Sequence, residues 1–173
     1  MTPILTTRFA ARAALVAAAL SLAACSQGGF GGDDAIELRG GGAGSGAASD
    51  PSSPAYFNSV VGDRVLFEVD QSTLTAAARA TLDAQARWLL DNPEYSALIE
   101  GHADEQGTRE YNLALGARRA SAVRDYLVTQ GVPDSRLRTI SYGKERPLEI
   151  CSEEACYRQN RRAVTVISAG PGV

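Results

Sequence analysis

Asp104 and Arg119 are the residues whose charges and positions most clearly suggest a binding site. Arg119 follows Leu115 by four residues and precedes Val123 by four, so on a helix its side chain points along the same apolar face. A guanidinium buried there needs an anion. Two structural alternatives remain open: Arg119 forms a salt bridge with Asp104 or Asp125, and Asp104 closes an Asx-turn or caps a loop.

His102 is the only histidine and the other residue that could do chemistry. No Ser or Cys lies at a spacing typical of a nucleophile, and no second carboxylate pattern accompanies it, so we predict no enzymatic activity. As a zinc ligand, His102 with Asp104 would need partners from elsewhere, and the sequence suggests none. The sequence therefore predicts binding without a cofactor or a metal ion.

The elements that must position these residues alternate between strands and helices. Residues rich in β-branched and apolar types favour strands, and apolar residues at spacings of three and four favour helices. The predicted strands are 64–69, 96–102, 137–142 and 163–168, and the predicted helices are 74–90, a segment from a Thr108 cap to Gly131, and 153–159. This order predicts an α/β domain in which helices pack on a sheet.

The N-terminus has the pattern of an export signal. Arg8 and Arg12 precede an apolar run at 13–22. That run is too short to cross a bilayer core of about 30 Å as a helix. We therefore predict a signal peptide over residues 1–24.

The signal ends in Leu22-Ala23-Ala24-Cys25, which resembles a lipobox, the cleavage site of exported lipoproteins. The resemblance implies lipidation of Cys25, and several acyl chains together would make a stable membrane anchor. By the lipoprotein sorting rule, Ser26 in place of Asp favours the outer membrane, with the domain facing the periplasm. The alternative is an ordinary secretory signal followed by a free cysteine.

A glycine-rich segment follows the predicted anchor. Nine of the 17 glycines lie between Gly28 and Gly46, so no core can form there. We predict a flexible linker over residues 25–55, with a typical end-to-end distance of about 30 Å and a fully extended length of roughly 100 Å. The folded domain is then 56–173.

The composition limits the remaining possibilities. The chain has 173 residues, 45% of them hydrophobic, which fits one ordinary domain with a tail. Its 17 Lys and Arg against 20 Asp and Glu give no basic field, so nucleic acid is not an expected partner.

Cys151 and Cys156 lie five residues apart in a chain predicted to be exported to an oxidising compartment. We expect a disulfide whose main effect is to fix the loop before Asn160 and Arg161, because so small a ring adds little global stability. Free thiols or a metal-binding pair are the alternatives.

Three segments resemble the OmpA-like domain family, and within it the peptidoglycan-associated lipoproteins. They are EGHADEQGTREYNLALGARRA from Glu100 to Ala120, SYGKERP from Ser141 to Pro147, and NRRAV from Asn160 to Val164. The lipobox and linker in front of them match as well. The resemblance implies a two-layer α/β sandwich of order βαβαβ(α)β, with helices packed on a mixed sheet.

The resemblance also implies a ligand, the meso-diaminopimelate of the peptidoglycan stem peptide. The end of its side chain carries an ammonium and a carboxylate on one carbon, so a receptor needs a fixed anion and a fixed cation. Asp104 would take the ammonium and Arg119 the carboxylate, with backbone N–H groups near Gly107 to Glu110 sharing the carboxylate.

Four further residues match positions of the family's site. Asn112 would hydrogen-bond the ligand or the loop, Phe67 and Asp70 would wall the cleft from the first-strand segment, and Arg161 would add a polar contact. The chain departs from the family at Glu68, where Asp is frequent, and it has a cysteine pair that the enterobacterial members lack.

The implied partners are peptidoglycan and the Tol proteins, including the periplasmic propeller protein TolB, in a system that supports envelope integrity and outer-membrane constriction in cell division. An OmpA-like lipoprotein that binds the wall without Tol partners is the alternative. A cell-wall hydrolase would need catalytic residues that the sequence lacks.

Overall fold

A mixed four-stranded sheet is the framework of the computed structural model, which describes residues 48–170. The predicted signal peptide, Cys25 and most of the predicted linker lie outside the described residues. Within 48–170, no helix has the length and hydropathy to cross a membrane.

The strands are β1 Arg64–Leu66, β2 Tyr95–His102, β3 Leu137–Gly143 and β4 Arg162–Ala169. The helices are α1 Pro54–Tyr56, which continues as a π-helical segment Phe57–Gly62, then α2 Ala76–Asp91, α3 Arg109–Thr129 and α4 Glu154–Asn160, with a 3₁₀ turn at Asp134–Arg136. The prediction of an α/β domain with helices on a mixed sheet is confirmed.

The sheet order is β1-β4-β2-β3, a topology that the sequence could not supply. β2 and β3 run parallel and are connected through α3, whereas β4 is antiparallel to both β1 and β2. One face of the sheet packs on α2 and α3, and the core between them contains Ile99, Leu82 and Val123. The two central strands therefore bring the end of β2 and the start of β4 side by side.

The first strand is shorter than predicted, ending at Leu66 instead of residue 69. Phe67 N still donates to the Arg161 carbonyl, but Gln71 N then donates to the Glu68 carbonyl in a turn. Asp70 has a φ of 55°, in the left-handed region that a strand cannot accommodate. Phe67 and Asp70 therefore lie on a loop and not on the first strand.

The folded part begins before residue 56, within what we assigned to the linker. The Trp88 indole N–H donates to the Pro51 carbonyl at 2.7 Å, and the Trp88 ring packs against Phe57. Ser53 is buried and its hydroxyl caps α1 by accepting from Tyr56 N. The Ser and Pro of this segment thus serve as a helix start.

Helix α3 begins and ends at the predicted signals. The Thr108 hydroxyl accepts from Tyr111 N, which is an N-cap bond, and Gly131 follows the helix with a φ of 99°. Thr108 therefore fixes the start of the helix beside the loop that follows β2.

A close glycine contact places α3 against the end of β2. A Cβ on Gly101 would lie 1.8 Å from the Gly116 carbonyl oxygen, and a Cβ on Gly116 would lie 2.4 Å from the Ser141 hydroxyl oxygen. Only glycine allows the two backbones to approach this closely. The contact lies one residue before His102 and three residues before Arg119 along their elements, so it sets the distance between the strand end and the arginine.

Gly101→Ala should therefore destabilise the domain, because its methyl group meets backbone that cannot move aside. We expect the free energy of unfolding to fall by about 3 kcal/mol, at the upper end of overpacking effects. Ala117→Ser, which adds one atom on the exposed face of α3, should change it by less than about 0.5 kcal/mol. Urea denaturation measures both, and equal stabilities would show that the close packing is not needed.

Candidate ligand-binding site

Arg119 is buried at the centre of the site, and none of its surface is exposed. Nε donates to the Gln71 carbonyl at 2.8 Å, and Nη1 donates to the His102 carbonyl at 2.8 Å. Nη2 donates to the Glu68 carbonyl at 3.2 Å. The arginine thereby holds the loop after β1 against the end of β2.

The guanidinium has no carboxylate partner within salt-bridge distance among the described residues, so the predicted alternative of a structural salt bridge is wrong. Asp125 pairs instead with Arg124. Burial lowers the pKa of Arg119 to about 10, although the charge of Asp104 opposes the shift. Arg119 is still a cation at neutral pH, and its hydrogen bonds all go to backbone carbonyls.

Asp104 lies just beyond β2, and its side chain is 11% exposed. Oδ1 accepts from Gln106 N at 3.3 Å, which is the Asx-turn contact that the sequence left open. Oδ2 accepts from Arg161 Nη1 at 3.2 Å, so the carboxylate is also one half of a buried ion pair. A carboxylate has about four acceptor positions, so these two bonds leave room for a ligand donor.

Arg161, which we expected to add a further polar contact, pairs directly with Asp104. Its side chain is 3% exposed, and Nε donates to the Phe67 carbonyl at 3.3 Å. Nη1 and Nη2 also donate to the Glu154 carboxylate, at 3.4 and 2.5 Å. Burial opposes the charged form, but the hydrogen bonds to Glu154 and Asp104 outweigh it and raise the pKa of Arg161.

Glu154 is the residue that our reading of the sequence missed. It lies seven residues before Arg161, two turns along the same face of a helix, and this spacing was the available signal. The hydrogen bond from Arg161 is the main cause that lowers the pKa of Glu154. Asp104, Arg161 and Glu154 therefore form a series of ion pairs within the site.

Asn112 holds the loop that carries Asp104. It is buried on the first turn of α3, and Nδ2 donates to the Gln106 carbonyl at 2.7 Å. Lys144 holds the same loop from the other side, since Nζ donates to the Gly107 carbonyl at 2.7 Å. Of the two roles expected for Asn112, the structure contains the contact to the loop.

Phe67 and Asp70 occupy different depths of the site. Phe67 is buried, and its ring lies 5.2 Å from the Arg119 guanidinium carbon, a cation–π distance. Asp70 is exposed, and its Oδ1 accepts from the Tyr111 hydroxyl at 3.3 Å. Phe67 thus forms the floor beneath the arginine, and Asp70 with Tyr111 forms the rim.

A cavity of about 650 Å³ lies near the other end of the sheet and is lined by Tyr95, Arg136 and Arg138 among others. None of the charged residues that line it is buried. We therefore place the candidate site at the Asp104 end, where charges are held out of water.

Comparisons with known proteins identify the family of this chain. The model of the OmpA family matches residues 66–161, a range that contains all six candidate ligand-binding residues. Peptidoglycan-associated lipoprotein of Rhizobium meliloti is 60% identical over 126 residues, 73% of this chain and 71% of the relative. That of Agrobacterium fabrum is 54% identical over 149 residues, 86% and 82% of the two chains.

A solved structure is similar as well. The crystal structure of the peptidoglycan-associated lipoprotein from Burkholderia pseudomallei has a TM-score of 0.62 and 40% identity, covering 70% of this chain and 98% of that one. The chain belongs to the OmpA family and, within it, to the peptidoglycan-associated lipoproteins.

In this OmpA-family chain, His102 is a buried structural residue at the end of β2. Its ring is 2% exposed, neither ring nitrogen has a hydrogen-bond partner among the described residues, and Nε2 lies 3.6 Å from Glu100 Oε2. Burial, and then the charges of Arg162, Arg146 and Arg64, lower its pKa to about 4. His102 contributes its carbonyl to Arg119 while its imidazole stays neutral.

The expected disulfide is present in the loop before α4. Cys151 and Cys156 are joined by a disulfide, and the second cysteine lies in the first turn of α4. Within residues 48–170, no cluster of three or more His, Cys, Asp or Glu is arranged to hold a metal ion.

The buried His102 predicts a pH-dependent stability. Its pKa is about 4 in the folded chain and 6.5 when unperturbed, so between these values the unfolded chain binds more protons. The free energy of unfolding should therefore fall as the pH drops below 6.5, by up to about 1.4 kcal/mol per pH unit.

His102→Gln should reduce this slope between pH 6.5 and 5, where few carboxylates titrate, and should leave the slope above pH 7 unchanged. Urea denaturation at a series of pH values measures it. Identical slopes for the two proteins would show that His102 is protonated as easily in the folded chain as in the unfolded one.

Proposed function

We propose that this chain binds, without covalent chemistry, the meso-diaminopimelate of peptidoglycan stem peptides and links the outer membrane to the cell wall. The observation that carries the proposal is a buried, charged Arg119 that has no carboxylate partner within residues 48–170, near the carboxylate of Asp104, whose side chain is 11% exposed. A buried cation left without an anion is costly, so a ligand carboxylate would complete the site.

The ligand's two charged groups match the two halves of the site. Asp104 accepts from the ammonium at the acceptor positions that Gln106 N and Arg161 leave open. Arg119 attracts the carboxylate on the same carbon. Charge-assisted hydrogen bonds of this kind contribute about 1.5 to 3 kcal/mol each, enough for a specific but reversible attachment.

The carboxylate reaches Arg119 from the side of the loop after β1. A guanidinium has five N–H donors, and three bonds to carbonyls leave two for a further acceptor. The carbonyls of Glu68 and Gln71 cover the arginine, so the loop that carries them would have to shift outward when a carboxylate binds. At the start of α3, the backbone N–H groups of Arg109 and Glu110 have no carbonyl of the same helix to donate to. They would add to the binding of the anion.

The residues of the site favour binding over catalysis. The imidazole of His102 is enclosed and neutral, and the site holds no Ser or Cys nucleophile beside a base. Arg161 forms ion pairs with both Asp104 and Glu154, an arrangement that holds the charges in fixed positions. A fixed anion and cation suit recognition of a zwitterion.

The N-terminal features complete the proposal. Lipidation of Cys25 would hold one end of the chain in the outer membrane, and the glycine-rich linker would let the domain reach the wall from there. The names of the relatives, peptidoglycan-associated lipoproteins, support both the lipid anchor and the wall as ligand. We further propose that the chain partners TolB and other Tol proteins and supports outer-membrane constriction in cell division, as its family resemblance implies.

Asp104→Asn should weaken binding to purified peptidoglycan by about 10- to 100-fold, because the amide keeps the shape of the carboxylate and removes its charge. Co-sedimentation with peptidoglycan from a diaminopimelate-containing wall measures the affinity. Arg119→Lys, which keeps the charge but loses the fork of donors, should weaken it as well.

The matched control is Asp125→Asn, an exposed aspartate of α3 whose partner is Arg124. It removes the same charge and should sediment like the parent chain. Normal sedimentation of the folded Asp104→Asn variant would refute the proposed site.

The Tol partnership has a separate test. The purified chain and purified TolB should form a complex at low salt, and a soluble diaminopimelate stem peptide should compete with TolB if the two surfaces overlap. Size-exclusion chromatography over a range of ionic strengths detects the complex. Its absence at every ionic strength would leave a wall-binding OmpA-like lipoprotein without Tol partners.

A further inference from the structure

Three charged side chains connect the proposed ligand site to helix α4. Asp104 Oδ2 lies 3.2 Å from Arg161 Nη1, and Arg161 Nη2 donates to Glu154 Oε1. Asp104 and Arg161 are nearly enclosed, with side chains 11% and 3% exposed, whereas the Glu154 side chain is 65% exposed. The series therefore runs from the ligand site to the surface.

Sharing Arg161 between two carboxylates affects how Asp104 meets a ligand. With Glu154 present, Arg161 spends two of its donor contacts on Glu154 and one on Asp104. Without Glu154, the same cation would have Asp104 as its only carboxylate within reach and would neutralise it more completely. Glu154 thus leaves Asp104 with more negative charge for the ammonium of a ligand.

Glu154 cannot hold this position by its ion pair alone. Pairs in which one member is exposed to water are weak, and a helix of seven residues is marginal in isolation. The segment between Gly143 and Glu154 contains no strand or helix that could fix the start of α4. Something else must fix the backbone there.

Hydrogen bonds and a disulfide restrain that segment. At the end of α4, the Asn160 side chain accepts from Leu148 N and Glu149 N and donates to the Glu149 carbonyl. At the start, the Cys151–Cys156 disulfide ties the preceding loop to the first turn of α4, and Glu154 lies between the two cysteines in the sequence. The disulfide is the restraint nearest to Glu154.

We propose that Glu154 is a positioning residue for Asp104, and that the Cys151–Cys156 disulfide couples the affinity for the ligand to the thiol redox state. The proposal rests on the proposed function of the site. A dithiol reductant would supply two electrons and two protons to the disulfide, leaving Cys151 and Cys156 as thiols and the reductant as a disulfide. Both cysteines are partly exposed, so such a reagent can reach them.

The test uses the full chain in mild detergent, with a soluble stem peptide containing meso-diaminopimelate as the probe, measured by isothermal titration calorimetry. Glu154→Gln should weaken binding about fivefold, the effect of one ion pair. Dithiothreitol should weaken binding of the parent chain to a similar extent. Glu153→Gln removes the same charge from the adjacent exposed position, which makes no cap hydrogen bond, and should bind normally.

Combining the changes distinguishes coupling through Glu154 from a general loss of structure. Cys151→Ser with Cys156→Ser should bind like the reduced chain, should not respond to dithiothreitol, and should lose little more when Glu154→Gln is added, because both changes act on one contact. Circular dichroism should show the same secondary structure in all of these proteins.

The outcomes distinguish this inference from the function beneath it. No binding by the oxidised parent chain would contradict the proposed function itself. Normal binding by Glu154→Gln or by the reduced chain would overturn the coupling through Glu154 while leaving the proposed function intact. An equal loss of affinity in Glu153→Gln would do the same. Loss of secondary structure on reduction would also overturn it, since the lower affinity would then report unfolding.

Discussion

The Arg119 guanidinium is buried with no carboxylate partner in the described part of the chain, and the rest of the site depends on this constraint. Removing a charge from water is expensive, and here three carbonyl groups offset the cost. Those carbonyls come from the loop after β1 and from the end of β2. The arginine therefore organises the site even before a ligand arrives. Burial lowers its pKa, because the carbonyls do not fully replace the water that the charge has lost.

The fold meets this constraint by bringing three parts of the chain together at one end of the sheet. Close contact between Gly101 and Gly116 sets α3 against β2, which puts Arg119 within reach of the His102 carbonyl. The antiparallel pairing of β4 with β1 and β2 brings Arg161 beside Asp104. Arg119 and Arg161 are thus held by backbone carbonyls of other parts of the chain, and Asn112 holds the loop that carries Asp104.

Much of this arrangement could be predicted from the sequence where the signal was local. The helical spacing around Arg119 predicts its burial, and the Thr108 and Gly131 signals predict the ends of α3. The strand order could not be derived in this way, because periodicity does not encode topology. The Asp104–Arg161 pair depends on that topology, since its two residues lie 57 positions apart.

Two local features were also misread or missed. β1 ends at Leu66 and a left-handed turn follows at Asp70, in a stretch that is otherwise typical of a strand. Arg119 binds the Glu68 and Gln71 carbonyls of this stretch, so tertiary contacts outweigh strand propensity there. Glu154 escaped notice because an exposed glutamate at the start of a short helix is ordinarily a solvated residue. Its importance depends on Arg161 two turns later, which in turn depends on the fold.

The central claim is that the site reads a zwitterion, an ammonium and a carboxylate on one carbon. The most direct measurement is the affinity of the chain for two stem peptides that differ only in having meso-diaminopimelate or lysine at the third position. Lysine keeps the ammonium and lacks the carboxylate that Arg119 would bind, so its peptide should bind at least about tenfold more weakly. Equal affinities for the two peptides would contradict the assignment of Arg119 as the receptor for the carboxylate.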